Sequence, residues 1–240
     1  METYCAHLHN SIYLSPTGDA RPCCRYRESL NLSWNENTDD IINSPQYNEL
    51  RKKADNGIPL DGCQKCYAED RAGIERIRSR VNKKFPKPKN KLEYLEISFN
   101  NICNLKCRMC NGISSSAWVK DELKLAKMNK DFERPVDHPE FGYTNKSEEI
   151  IQRLFEDPTP FMNLRYLSIK GGEPYMEPAN KTILKKFIDL GIAKNVTLDW
   201  TTNGTMVDDE VQELARQYGH TKWTVSLEGT DALYEYIRGG

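Results

Sequence analysis

The chain has 240 residues, 34 of them Lys or Arg and 35 Asp or Glu, so its charge gives no footing for nucleic acid or a membrane surface. No apolar run nears the ~18 residues of a membrane span. The first residues, Met1 to His7, lack the basic and apolar regions of a signal peptide, which makes a cytoplasmic location the expectation.

Taken in chain order, Ser11 to Cys24 reads as two short extended pieces around a Pro16-Thr-Gly-Asp19 turn, a hairpin ending at Cys23. Ser44-Pro45 starts a helix through Lys53, closed near Gly57. Cys63 to about Lys83 reads as one highly charged helix whose entry carries Cys63 and Cys66. Residues 84–91 form a basic, proline-interrupted linker, because proline fixes φ and removes a donor. Beyond it strands and helices alternate. Strands are expected at Leu92–Phe99, Leu164–Ile169, Val196–Thr201 and Lys222–Leu227. Helices are expected at Ser114–Met128, with serines available as caps, and at Ser147–Phe155, Thr182–Leu190 and from the Asp208 cap to Gly219. Phe132–Asn145 reads as a loop. Strands separated by helices imply right-handed crossovers and parallel pairing. The predicted organisation is a cysteine-rich domain at 1–83, the linker, and an α/β domain at 92–240.

Eight cysteines without an export signal point to metal ligation or catalysis rather than disulfides. Cys103, Cys107 and Cys110 form a C-x3-C-x2-C triplet directly after a strand. Three thiolates on one tight loop suit three irons of a cubane and leave the fourth iron open to an exogenous ligand. A zinc site completed by a histidine is the alternative. Position at the C-terminal end of a β/α strand, where barrel active sites gather, favours the cubane. Cys5, Cys23, Cys63 and Cys66 form a second set in the first third of the chain, with Cys24 left as a spare thiol or alternative ligand. His7 and His9 follow Cys5 closely enough to ligate metal, but the expectation is that they are surface histidines.

The triplet, followed by Gly171-Gly172-Glu173-Pro174 at the next strand's end, resembles the radical S-adenosylmethionine (SAM) superfamily. The resemblance implies a partial (β/α) barrel with about four of six β/α units present, so that the sequence is truncated or completed by another chain. It implies a [4Fe–4S] cluster on Cys103, Cys107 and Cys110, which passes an electron to SAM and yields a 5′-deoxyadenosyl radical. In the family the GGEP segment binds the methionine amino group, with Glu173 near the ammonium. Ser226 and Arg238 stand where peptide-modifying relatives contact the cofactor's carboxylate and ribose, and Asn203 stands on the site rim. Alternatively Arg238 is a solvated helix residue and Asn203 a turn asparagine before Gly204. Met109 departs from the family's usual aromatic residue near the adenine, an apolar role that a thioether can fill.

The N-terminal set resembles the auxiliary-cluster domains called SPASM or twitch, which generally follow the barrel rather than precede it. Cys5, Cys23, Cys63 and Cys66 would hold a second [4Fe–4S] cluster, with a four-cysteine zinc site as the alternative. No catalytic side chain beyond cluster and cofactor is expected. The implied partners are an electron donor such as flavodoxin or ferredoxin and a peptide or protein substrate. A small molecule such as a nucleobase precursor or carbohydrate is the second substrate class, and a non-catalytic zinc-binding interaction protein is the reading from another class.

Overall fold

The computed structural model describes residues 2–75, 77–86, 90–129, 131–132 and 146–239. Lys87 to Lys89 of the expected linker, and all but Phe132 of the expected 132–145 loop, lie outside these residues. In chain order the elements are α1 (His7–Asn10), β1 (Ser11–Leu14), β2 (Ala20–Arg21), α2 (Thr38–Ile42), α3 (Pro45–Asp55), α4 (Gln64–Arg71), α5 (Ile77–Lys84), β3 (Tyr94–Ser98), α6 (Val119–Met128), α7 (Ser147–Leu154), β4 (Tyr166–Lys170), α8 (Ala179–Asp189), β5 (Thr197–Thr202), α9 (Asp209–Ala215), β6 (His220–Val225) and α10 (Asp231–Arg238). The four expected strands are therefore β3 to β6, and the expected hairpin is β1–β2, paired antiparallel with Tyr13 opposite Arg21.

Two compact units divide the chain: Met1–Glu96 with Gln152–Leu167, and Ile97–Ile151 with Ser168–Gly240. Strands β3 and β4 run through both. In the first unit their N-terminal halves continue the order β2-β1-β3-β4; in the second their C-terminal halves continue as β3-β4-β5-β6. The six-stranded sheet is mostly parallel, and β5 and β6 pair in register from Thr197 opposite His220 to Thr202 opposite Val225.

In the first unit, Ser44 caps α3 by accepting from Tyr47 N, and Pro45 occupies the helix's first turn, where its missing N–H costs nothing. Leu50 and Ala54 of α3 close a small core with Leu8, Tyr26 and Leu60, and Cys5, Cys23 and Cys63 pack around it. Buried Arg51 ties α3 to its neighbours by donating to the carbonyls of Leu8 (2.8 Å) and Ile42. One expectation fails here. Cys63–Lys83 is not a single helix: a 3-10 turn at Asp61–Cys63 leads into α4, which ends at Arg71, and α5 covers Ile77–Lys84. Gly73 sits at φ +70, a left-handed conformation that ends α4 and that other residues adopt only with strain.

In the second unit, α8 buries Ile183, Leu184 and Phe187, and α9 buries Val211, Leu214 and Ala215. With Leu198 and Trp200 of β5, also fully buried, they form the core that fixes the strand ends. Each such large side chain stabilises by roughly 1.5–3 kcal/mol. Asp208 caps α9 as expected, accepting from Val211 N, although the helix stops at Ala215 rather than running on to Gly219. Among the described residues no helix is long and apolar enough to cross a membrane.

Candidate metal centres and cofactor site

The cysteine loop of the second unit is held from several sides. Ser116 N donates to Asn101 O (2.7 Å), and Cys103 N donates to Ser116 Oγ (3.2 Å). Ser115 Oγ donates to Leu105 O (2.6 Å), and Trp118 Nε1 donates to Cys107 O (3.0 Å). The serines thus clamp the loop and do not cap α6, whose start has no side-chain cap. The expected helix at 114–128 accordingly begins as a 3-10 turn at Ser116–Trp118 and becomes α6 only at Val119. The far side of the loop meets the end of α10, where Arg108 donates from N to Ile237 O (2.8 Å) and from Nε to Tyr236 O (2.6 Å). These bonds satisfy carbonyls that a helix C-terminus leaves open.

Cys107 is buried, and Cys103 and Cys110 are partly so. N–H donors point at two of the sulfurs. Cys103 Sγ accepts from Leu105 N (3.5 Å) and Asn203 Nδ2 (3.8 Å), and Cys107 Sγ accepts from Arg238 Nη1 (3.4 Å). Burial, with Cys107 and Cys103 close by, pushes the Cys110 thiol up to about 11.

The GGEP segment packs directly on the chain that enters this loop. Glu173 N donates to Ile102 O (2.7 Å) and Gly172 N to Asn100 O (3.3 Å). A Cβ on Gly172 would lie 2.1 Å from Ile102 O, and one on Gly171 2.9 Å from Asn100 O. The close approach that these glycines permit is made to the chain's own backbone. Pro174 then opens a 3-10 turn, Pro174–Met176.

Glu173 is 1 % exposed. Its carboxylate accepts from Thr202 Oγ1 (2.8 Å), Asn203 N (2.7 Å) and Tyr175 N (3.3 Å), which joins GGEP to the end of β5. Asn203 serves its turn by accepting from Thr205 N (2.9 Å), and it also reaches into the cysteine loop at Asn104 Oδ1 (2.9 Å) and Cys103 Sγ. Ser226, partly buried, donates from N to Thr202 O (2.9 Å). Arg238 is 6 % exposed, so it is no solvated helix residue; its Nε and Nη2 fork onto Glu228. Met109 is 58 % exposed, so it fills no apolar pocket within the described chain.

In the first unit Cys5 precedes α1, Cys23 follows β2, Cys63 ends a 3-10 turn and Cys66 lies on α4. Burial pushes the thiols of Cys5 and Cys63 up to about 12 and that of Cys23 well above its ordinary value. The four act on one another electrostatically: Cys5 on Cys23 and Cys63, and Cys66 on Cys5 and Cys63, while Cys24 acts on Cys23. His7 and His9 are not the surface histidines expected. Both are buried; His7 meets the Tyr94 ring edge-on at 4.7 Å, and His9 Nδ1 lies 2.9 Å from Asn90 Oδ1.

A single zinc ion needs its thiolates at about 2.3 Å from one point. Among the described residues no three Cys, His, Asp or Glu side chains form such a cage. A cubane gives each thiolate a separate iron, and the Cys103, Cys107 and Cys110 thiols, on one loop with N–H donors at two of the sulfurs, suit that arrangement.

Comparison with known proteins agrees with this chemistry. Residues 97–240 match the Radical SAM superfamily, and the chain belongs to it. It is an enzyme family whose cofactors are a [4Fe–4S] cluster and SAM. Residues 5–67 match the SPASM iron-sulfur cluster-binding domain, here at the N-terminus, which supports an auxiliary cluster. Over 142 residues the chain is 26 % identical to a GTP 3′,8-cyclase of Microcystis aeruginosa (strain NIES-843 / IAM M-2473). That alignment takes in 59 % of this chain and 36 % of the relative, so the chain spans about a third of the relative's length.

Proposed function

We propose that this chain binds its catalytic cluster through Cys103, Cys107 and Cys110 and initiates radical chemistry on a peptide or protein side chain. The observation that carries this reading is the backbone bond from Glu173 to Ile102, which fixes the GGEP segment against the entry to the cysteine loop. When bound, the cluster and SAM supply reductive cleavage of a C–S bond to methionine and a 5′-deoxyadenosyl radical, with the electron coming from a reductant such as flavodoxin or ferredoxin.

The protein's own residues bind and orient. The three thiols would ligate three irons, and Arg238 and Asn203 direct N–H groups at their sulfurs. Gly171, Gly172, Glu173 and Pro174 would line the SAM methionine, and Asn203, Ser226 and Arg238 would complete the cofactor site. Glu173, already engaged by Thr202 and Asn203, holds the ends of β4 and β5 in register for that task. Cys5, Cys23, Cys63 and Cys66 would ligate the auxiliary cluster, and the presence of that domain supports the peptide or protein substrate.

A second reading, a small-molecule substrate, is favoured by the similarity to a GTP 3′,8-cyclase. Anaerobic reconstitution with dithionite and SAM tests the first step. 5′-Deoxyadenosine should form, and Cys103→Ala should abolish it; no product from fully iron-loaded protein defeats the proposal. Deuterium transfer into 5′-deoxyadenosine, from a labelled peptide encoded beside the gene or from labelled GTP, separates the two substrate classes.

A further inference from the structure

We propose that the Arg238–Glu228 pair sets the reduction potential of the catalytic cluster: Glu228 pins the guanidinium so that its positive end rests on Cys107 Sγ and favours the reduced state. The inference rests on the reading of Cys103, Cys107 and Cys110 as ligands of that cluster. It gives Arg238 a task that does not involve SAM, and it makes Glu228 a positioning residue.

Cys107 is the buried member of the triplet, 3 % exposed. The end of α10 closes over it. Ile237 O accepts from Arg108 N (2.8 Å) and Tyr236 O from Arg108 Nε (2.6 Å), while Gly239, at φ +65, lies so near Lys106 that a Cβ there would be 2.6 Å from Lys106 O. The helix end thus meets the residues on both sides of Cys107. Between these contacts Arg238 Nη1 donates to Cys107 Sγ at 3.4 Å. The backbone contacts already dock the helix, so docking does not require a guanidinium in the same place. Burying one costs free energy unless it is paired and hydrogen-bonded.

The pairing has a direction. Glu228 accepts from Nε (2.5 Å) and from Nη2, one edge of the guanidinium, which leaves Nη1 as the corner turned to the sulfur. A planar fork held at two corners fixes the third, which a lysine would not do. The Arg238 side chain is 7 % exposed and that of Glu228 37 %, so the cation is both the member bonded to sulfur and the one less screened by solvent.

Other charges near the triplet are committed elsewhere. Lys106 pairs with Asp121 (2.7 Å), and Arg108 lies over the Tyr236 ring at 3.9 Å. The donors to Cys103 Sγ, Leu105 N and Asn203 Nδ2, are neutral. Among the described residues Arg238 is therefore the cation bonded to a sulfur of the triplet, and its charge also acts on Cys110. Reduction adds one negative charge to a cluster, so a cation and an N–H donor on a ligand sulfur favour the reduced form, while a neighbouring carboxylate opposes it.

The test is an EPR-monitored redox titration of the reconstituted full chain without SAM, with iron and sulfide quantified for each protein. The signal that Cys103→Ala removes identifies the catalytic cluster. Arg238→Gln should disfavour its reduced form about tenfold, a fall of about 59 mV for one electron. Glu228→Gln removes the anion while its amide oxygen still accepts from Arg238, so the same potential should rise. Lost packing alone would move both variants in the same direction, and a guanidinium that served only the SAM carboxylate would leave the SAM-free potential in place. A fall in the first variant with a rise in the second supports the inference, and any other combination in loaded proteins overturns it. If Arg238→Gln loses the iron, Glu228→Gln decides alone: a rise supports, and a fall or no change overturns. Wild-type protein with no iron–sulfur signal that Cys103→Ala removes instead defeats the ligand reading beneath it.

Discussion

Replacing Gly172 with alanine should be among the most damaging single-methyl additions in this chain. The new Cβ would lie 2.1 Å from Ile102 O, 2.5 Å from Ile102 C and 2.6 Å from Asn101 C, whereas an ordinary C···O contact is about 3.3 Å or more. Relief therefore needs a backbone shift of about 1 Å. The backbone on both sides is tethered: Ile102 O accepts from Glu173 N, Asn100 O from Gly172 N, and Asn100 Oδ1 from Ile102 N. Losing two of these bonds costs about 2 kcal/mol, and the overpacking adds roughly 1–3 kcal/mol, for a total of about 3–5 kcal/mol. Gly57→Ala is the control. Gly57 has φ +76 and open space around its missing Cβ, so only backbone strain is felt there, about 1–2 kcal/mol. Denaturant unfolding of the anaerobically reconstituted proteins measures both, and iron content reports whether the Cys103 loop keeps its geometry. Equal destabilisation by the two substitutions, with full iron in Gly172→Ala, would refute the close-approach argument.

Two further outcomes follow from the same site. Glu173→Gln sets an amide N–H2 against hydrogen-bond donors that include a backbone N–H, so it should cost about 1–3 kcal/mol by denaturant unfolding; a loss below half a kcal/mol (on the order of an unremarkable surface change) would mean that the carboxylate is not the tie described. Burial raises the Glu177 carboxyl above its ordinary range, against donation from Ala179 N. The folded chain therefore keeps that proton to higher pH than the unfolded one does. This contribution to stability is complete below the unfolded value of about 4.3 and is lost as pH rises through the raised folded value. Melting temperatures of Glu177→Gln and wild type across that window should shift in the variant's favour as pH rises, and a gap that does not change with pH contradicts the assignment.

What could be read from the sequence, and what could not, separates by the range of the interactions. Strands β3 to β6 are legible because alternation along a strand is local, and so are the caps at Ser44 and Asp208, where a side chain accepts from a backbone N–H two or three residues on. The cysteine triplet is legible because its ligands lie on one loop. The clamp on that loop is not. Ser115 and Ser116 reach carbonyls and amides ten or more residues away, and beside a helical pattern a serine reads as a cap. Arg238 at the end of an amphipathic helix reads equally well as solvated, and only the placement of Glu228 and Cys107 around it shows otherwise. The glycines of GGEP were visible, but glycine allows close approach without naming the partner, and the partner proved to be the backbone at 100–102. The break at Gly73 was likewise hidden within a charged run whose helix propensity is high on both sides. In each case sequence identified a residue able to do something unusual, and the contact that uses this ability came from a segment distant along the chain. Arg238 extends the argument: it belongs to no cysteine spacing, yet Glu228 offers its guanidinium a carboxylate to fork onto and Cys107 a sulfur within reach.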